Sequence, residues 1–303
     1  IKAHPIRIKE WDYYLISNDR FALALTIADN GYMGLISASV LDFEKPWEQT
    51  TSVMTAFPMG KYKLPETSAA GVTSYTDSRV NMRFGTANGV RHISCVFHKF
   101  LREETLEAEL TLTDEPQHSM VIATPFEKPK AFYYNQKINC MRSNGFMRLG
   151  GKTYDFSEED SFATLDWGRG VWTYDNTWYW GNGNGTVNGH RVGFNIGYGF
   201  GDTSAASENM IIYDGTAHKL SKVIFNIPAD SYTKPWTFTS DDGRFEMDFV
   251  PVIDRAARTN ALIIESDQHQ VFGRFTGKMV LDGGDVIELK DFMGFAEKVH
   301  NRY

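Results

Sequence analysis

Asp166-Trp167-Gly168-Arg169-Gly170-Val171-Trp172-Thr173-Tyr174-Asp175-Asn176-Thr177-Trp178-Tyr179-Trp180-Gly181-Asn182-Gly183-Asn184-Gly185 holds four of the chain's seven tryptophans within fourteen residues, with two aspartates, an arginine and two tyrosines. In an extended chain alternate side chains point to the same side, so Trp178 and Trp180 share one face. Asp166, Gly168 and Trp172 share that parity if the strand runs straight. Indoles beside a carboxylate and a guanidinium suit two structures, a packed junction between domains or the lining of a ligand pocket. The position of the run, just past mid-chain, is where a second domain would begin.

On both sides of this run the chain reads as strands and turns. Residues 11–17, 21–28 and 32–41 are short runs rich in aromatic and β-favouring residues, separated by Asn18-Asp19 and Asp29-Asn30-Gly31. From Asp42 to Thr86 the pattern loosens around Pro46, Pro58 and Pro65, which predicts short edge strands and a long loop. Residues 106–113 alternate strictly between apolar and polar, the mark of a half-buried antiparallel strand. Residues 132–141 predict another strand, with turns at Asn144-Gly145 and Gly150-Gly151. Beyond the Trp-rich run, Asn188-Gly189 is a strong hairpin signal, and Phe245, Met247 and Phe249 alternate with Glu246 and Asp248. Residues 100–107 and 252–258 are the best candidates for helix. Each half opens with an aromatic strand and continues through hairpins for the length of a small barrel, which predicts an all-β chain of two domains, residues 1–163 and 164–303.

Composition narrows the function. A chain of 303 residues, 42% hydrophobic and 14% aromatic, supports sizeable cores. A net charge of −7 without basic blocks argues against nucleic-acid binding. No apolar run is long enough for a membrane span and no signal-peptide pattern opens the sequence, so a cytoplasmic, non-spanning protein is expected. Cys95 and Cys140 allow one disulfide on count alone.

Several chemistries lack their signatures. Gly181-x-Gly183-x-Gly185 and Gly197-x-Gly199-x-Gly201 resemble phosphate loops, but no helix start follows either to supply anion-binding amides, so turns and barrel bends account for them better. The eight histidines form no close metal-ligand pair; His92 and His98 could share a strand face, which is too few ligands for a metal. No Gly-x-Ser-x-Gly elbow is present and neither cysteine has a nucleophile's context. Neither a metal nor another cofactor is expected.

Carboxylates beside aromatic walls remain. Burial near indoles raises a carboxyl pKa and makes a proton donor near neutral pH, and Asp166 and Glu208 are the candidates. Arg169 could pair with either and hold it ionised as a structural group. Tyr133, Tyr134 and Gln136 could add hydroxyl and amide groups to the same cavity, or belong to a plain strand. His218 and Lys219 read as a turn with solvated ends, whereas His269-Gln270-x-Phe272-Gly273 could project into a barrel mouth.

These segments resemble a bacterial family known as domain of unknown function 2804. The resemblance rests on residues 165–172, Trp178-Tyr179-Trp180, Glu208-Asn209, Asp214-Gly215-x-x-His218-Lys219-Leu220, His269-Gln270-x-Phe272-Gly273 and Gly294-Phe295-Ala296-Glu297, with an echo in Trp11-Asp12-Tyr13-Tyr14. More distantly the pattern is similar to the two-domain lipocalin-like group that includes carotenoid hydratases (hydroxyneurosporene synthase), tocopherol cyclase and certain fungal pericyclases. That resemblance implies two tandem lipocalin-like, calycin-type antiparallel β-barrels and chemistry on an apolar polyene or isoprenoid. In the hydratases a Trp-x-Asp-x-Glu-Trp-like segment resembles residues 165–168; the present chain keeps the aspartate without the following Glu-Trp spacing.

The expectation is an acid–base enzyme of hydratase, cyclase or isomerase type, acting on an apolar or partly apolar small molecule in a Trp-lined cavity at the domain junction. Asp166 would donate the proton and Glu208 would be a second acid or base. Trp172, Trp178 and Trp180 would wall the substrate, with Tyr134, Gln136, Arg169 and His269 binding it. A non-catalytic lipid or isoprenoid binder, and a carbohydrate-active enzyme with paired carboxylates, are the alternatives.

Overall fold

Runs of β-favouring residues, some alternating and some apolar throughout, are separated by turn residues and form strands that pair antiparallel. The computed structural model describes residues 1–261 and 264–302. In chain order, after a 3-10 turn at Pro5–Arg7, come β1 (Lys9–Ser17), β2 (Phe21–Asp29), β3 (Met33–Asp42), β4 (Trp47–Ala56), β5 (Gly71–Thr76), β6 (Val80–Ala87) and β7 (Val90–Leu101). Next are β8 (Glu104–Thr113), β9 (Met120–Pro125), β10 (Phe132–Leu149), β11 (Lys152–Phe156), β12 (Phe162–Val171), β13 (Asp175–Val187) and β14 (His190–Tyr198). Then β15 (Met210–Tyr213), β16 (Thr216–Lys219), β17 (Val223–Asn226), β18 (Trp236–Ser240), β19 (Phe245–Ala261), β20 (Ile264–Val280) and β21 (Val286–Arg302) complete the chain. Two compact units result: residues 1–116 with 134–172, and residues 117–133 with those from 173 on.

In the first unit the sheet runs β4-β3-β2-β1-β12-β10-β8-β7-β6-β5, with β11 paired to β10. It curls, because Thr51 of β4 bonds the Phe100 carbonyl at the end of β7. The inside is a core that includes Leu23, Leu25, Phe97, Leu110, Leu165 and Trp167, all nearly inaccessible. Along β8 the inward set is Leu106, Ala108, Leu110 and Leu112, as the alternation requires. Each of these leucines contributes about 1.5–3 kcal/mol by burial.

The second unit's sheet runs β16-β15-β14-β13-β21-β20-β19-β18-β17. Tyr198 of β14 accepts from the Phe225 amide of β17, so this sheet also curls on itself. Its core is ring on ring, with Phe194 meeting Phe245 and Phe275, and Trp236 meeting Phe249. Gly181, Gly183 and Gly185 lie inside β13 and face this core. A β-carbon at Gly183 would sit 2.7 Å from the Phe194 ring and 3.0 Å from Phe292. The glycine run makes room for aromatic rings; it is not a phosphate cradle. The Asn188-Gly189 turn forms as expected, with both residues at positive φ.

Three expectations are corrected. Residues 100–107 are not helical: they close the β7–β8 hairpin, with Arg102 in the left-handed region, and run on into β8. Residues 252–258 are part of β19, just beyond a register shift at Pro251/Ile253. Asn144-Gly145 is not a turn, because β10 passes straight through it and Gly145 only bends the strand at φ 135°. Cys95 and Cys140 are both buried and are not joined in a disulfide.

Candidate functional site

Every residue of β12, Phe162–Val171, is buried, so this strand presents chemistry on both faces. On the face away from the core, Asp166 is 8% exposed. Asn135 donates to its Oδ1 and also to the Trp167 carbonyl at 2.9 Å, which fixes the carboxylate's direction. Tyr13 stands opposite Asp166 in the β1–β12 register. Two residues along, Gly168 has room for no side chain, because the Trp11 ring covers it and a β-carbon there would collide with that ring. Trp11 in turn meets Trp172 edge-on, with ring centroids 5.2 Å apart. The result is a buried, oriented carboxylate on a strand whose next positions are walled by two indoles.

The opposite face of the same strand lines the inside of the barrel. Arg169 donates to Asp12 at 3.0 Å, to the carbonyls of Trp11, Gly168 and Pro65, and lies 3.7 Å from Glu10. Its guanidinium sits 4.2 Å over the Trp167 ring. Thr73 donates to the other Asp12 oxygen. Arg91, 1% exposed, holds Glu115 at 2.8 Å, the Ser68 carbonyl at 2.7 Å and Thr86 at 3.1 Å. Burial pushes the Glu10 carboxyl above its usual range against the pull of Arg169, and burial likewise raises the Tyr14 phenol.

In the second unit the face away from the core is also polar and buried. Trp180 donates to Asn195 at 2.7 Å, and Asn195 donates to the Glu208 carbonyl at 2.9 Å. Burial lowers the Lys219 ammonium, and the Glu208 charge opposes that shift. Trp178 donates to Glu297 at 3.0 Å and packs on Phe200, while Gln270 donates to the other Glu297 oxygen at 2.9 Å. His269 meets Asp254 through Nδ1 at 2.7 Å and stacks on Tyr232 with centroids 3.8 Å apart. A carboxylate on Nδ1 fixes the imidazole's orientation.

The structure therefore sorts the expected residues. Asp166 and Trp172 share one side of β12. Arg169, Tyr134 (edge-on to Trp167) and Gln136 (bonded by Ser68) are associated with the other. Arg169 takes Asp12 as its carboxylate partner, not Asp166, because neighbouring odd and even positions of a strand face opposite ways. Trp178, Trp180, Glu208 and His269 belong to the second unit. The sequence reading missed Glu10, Asp12, Arg91, Asn135, Glu297 and Asp254 as site residues. Only Asp12 and Glu297 stood inside a recognised motif; the others become neighbours through strand register, which spacing does not display. Among the described residues no group of three or more His, Cys, Asp or Glu side chains is arranged to hold a metal ion, and no helix is long and apolar enough to cross a membrane.

Two curled antiparallel sheets in one chain define an all-β, tandem-barrel protein of the lipocalin-like class. The chain belongs to the DUF2804 family, a domain of unknown function whose model matches residues 1–303. Among solved structures it is similar to a Nitrosomonas europaea protein named as an AttH, with TM-score 0.57 and 12% identity over 98% of this chain and 93% of that one. It is also similar to kievitone hydratase from Nectria haematococca, with TM-score 0.54 and 11% identity over 97% and 88% of the two chains. At such identities the likeness is one of fold. No curated protein matches the sequence.

Proposed function

We propose that the chain is an acid–base enzyme of hydratase, cyclase or isomerase type, acting on an apolar or partly apolar small molecule. Asp166 is its proton-transferring carboxylate. The observation that carries this reading is the burial and orientation of that carboxylate by Asn135, on a strand flanked by the Trp11–Trp172 pair. Indole faces exclude water and stabilise positive charge developing on a substrate. The fold shared with a hydratase supports the same class of reaction. It does so by analogy only.

The test is native mass spectrometry of wild type and Asp166→Asn after incubation with a cell extract. A small molecule retained on Asp166→Asn and absent from wild type is the expected result, since wild type would turn it over. The same ligand on both proteins in equal amount would overturn Asp166 as the acid and leave a binding protein.

A further inference from the structure

The mouth of the first barrel is closed by its own chain. Residues 57–70, which connect β4 to β5, carry no strand or helix. Connections of this length inside compact domains are commonly lids or binding loops. Phe57, Met59 and Lys63 all have positive φ, between 47° and 52°, a conformation that is costly for residues with a β-carbon. Beyond them Leu64 turns inward, and the Pro65 and Ser68 carbonyls accept hydrogen bonds from Arg169 and Arg91. The Ser68 hydroxyl bonds Gln136. Beneath this plug remains a cavity of about 10 Å³, lined in part by Asp12, Tyr14, Pro65, Ser68, Thr73 and Trp167, about the room one water needs.

The donors around the mouth exceed what the plug satisfies. Among the described residues, Arg91 Nε, Arg169 Nε and Trp167 Nε1 are buried and have no hydrogen-bond partner. A buried donor left without an acceptor costs stability, so each of the three calls for a reason. Displacing the plug would release two further donors, those now held by the Pro65 and Ser68 carbonyls. Both guanidiniums would keep their own carboxylates, Asp12 and Glu115. With Glu10 the mouth holds three carboxylates against two guanidiniums, which disfavours an anion. Its apolar walls are Trp167, Leu165 and Phe84.

We infer that the interior of the first barrel is a ligand site held shut by residues 64–71, whose carbonyls stand where the oxygen atoms of an uncharged, flat, carbonyl-bearing molecule bind. Arg91 and Arg169 donate to those oxygens, and Trp167 covers the apolar skeleton. The site lies on the face of β12 opposite Asp166 and does not depend on that residue's role.

The probe is the fluorescent ketone 6-propionyl-2-(dimethylamino)naphthalene, whose emission shifts to the blue in a dry site. Binding is measured on the whole chain, with hydrogen exchange followed on residues 64–71. The ketone is expected to bind about tenfold tighter than 2-(dimethylamino)naphthalene, which lacks the acceptor, and tighter than the anion 2-naphthoate. The plug's amides should exchange faster in the complex. Ser68→Gly, which frees the plug from Gln136, should tighten binding about fivefold, because more molecules are then open. Asp166→Asn should bind as wild type does, even if the catalytic reading fails. No binding of the ketone, equal binding of all three probes, or binding with unchanged plug exchange and no gain in Ser68→Gly would each overturn the inference.

Discussion

Arg169 is the residue on which most of the first barrel's charged interior depends. Its guanidinium satisfies Asp12, three backbone carbonyls and the Trp167 face. Arg169→Ala would leave Asp12 buried without its guanidinium, with Thr73 still donating to it, and removal of one partner from a buried pair costs about 3–5 kcal/mol. Urea denaturation of the variant should show a loss of that size. Glu10 gives a pH-dependent counterpart. Its pKa is raised in the folded protein above the ordinary 4.5, chiefly by burial. The folded state therefore prefers the protonated acid. The stability this gives is present below the unfolded pKa and disappears as pH rises through the folded one. Glu10→Gln should raise the melting temperature at pH 7 and above, with the gain vanishing towards pH 4. A gain that persists in acid would mean that something other than the carboxyl's ionisation is responsible.

At the scale of elements, strands were legible where one face is buried and turns carry specific chemistry. Residues 106–113, the Phe245-Met247-Phe249 set and the Asn188-Gly189 turn all announce themselves by alternation or by positive-φ residues. Residues 100–107 and 252–258 misled because a short apolar spacing fits either a helix or a strand paired on both sides. The Asn144-Gly145 turn failed for another reason: β8 pairs continuously with β10 across that position, and long-range pairing overrides a local turn preference. Half of the candidate site was readable for the same reasons. Asp166 and the tryptophans stood in one conspicuous run, whereas Asp12, Asn135 and Arg91 join the site only through cross-strand register. The glycines of β13 are an element-scale feature with a measurable cost. Gly183→Ala would push a methyl against Phe194 and Phe292, and overpacking of this kind costs about 1–3 kcal/mol. The expected readout is a lowered denaturation midpoint without loss of strand signal in circular dichroism.

At the scale of the whole molecule the chain has two cores with no residue in common, one around Leu25, Phe97 and Trp167, the other around Phe194, Trp236 and Phe275. Both cysteines belong to the first unit and both are 0% exposed. Burial pushes the Cys95 thiol up to about 12, so at pH 8 it is neither accessible nor ionised, and thiolate is the reactive form. Thiol labelling therefore reports the opening of the first unit alone. Phe249 packs against Trp236, Phe238 and Phe275 in the second core, and Phe249→Ala there costs about 3–5 kcal/mol. In increasing urea, hydrogen exchange on β18–β20 should lose protection at a lower midpoint in this variant. The midpoint for Cys95 labelling should stay where it is in wild type. A joint shift of both midpoints would mean that the two cores unfold as a single cooperative unit, despite having no residue in common.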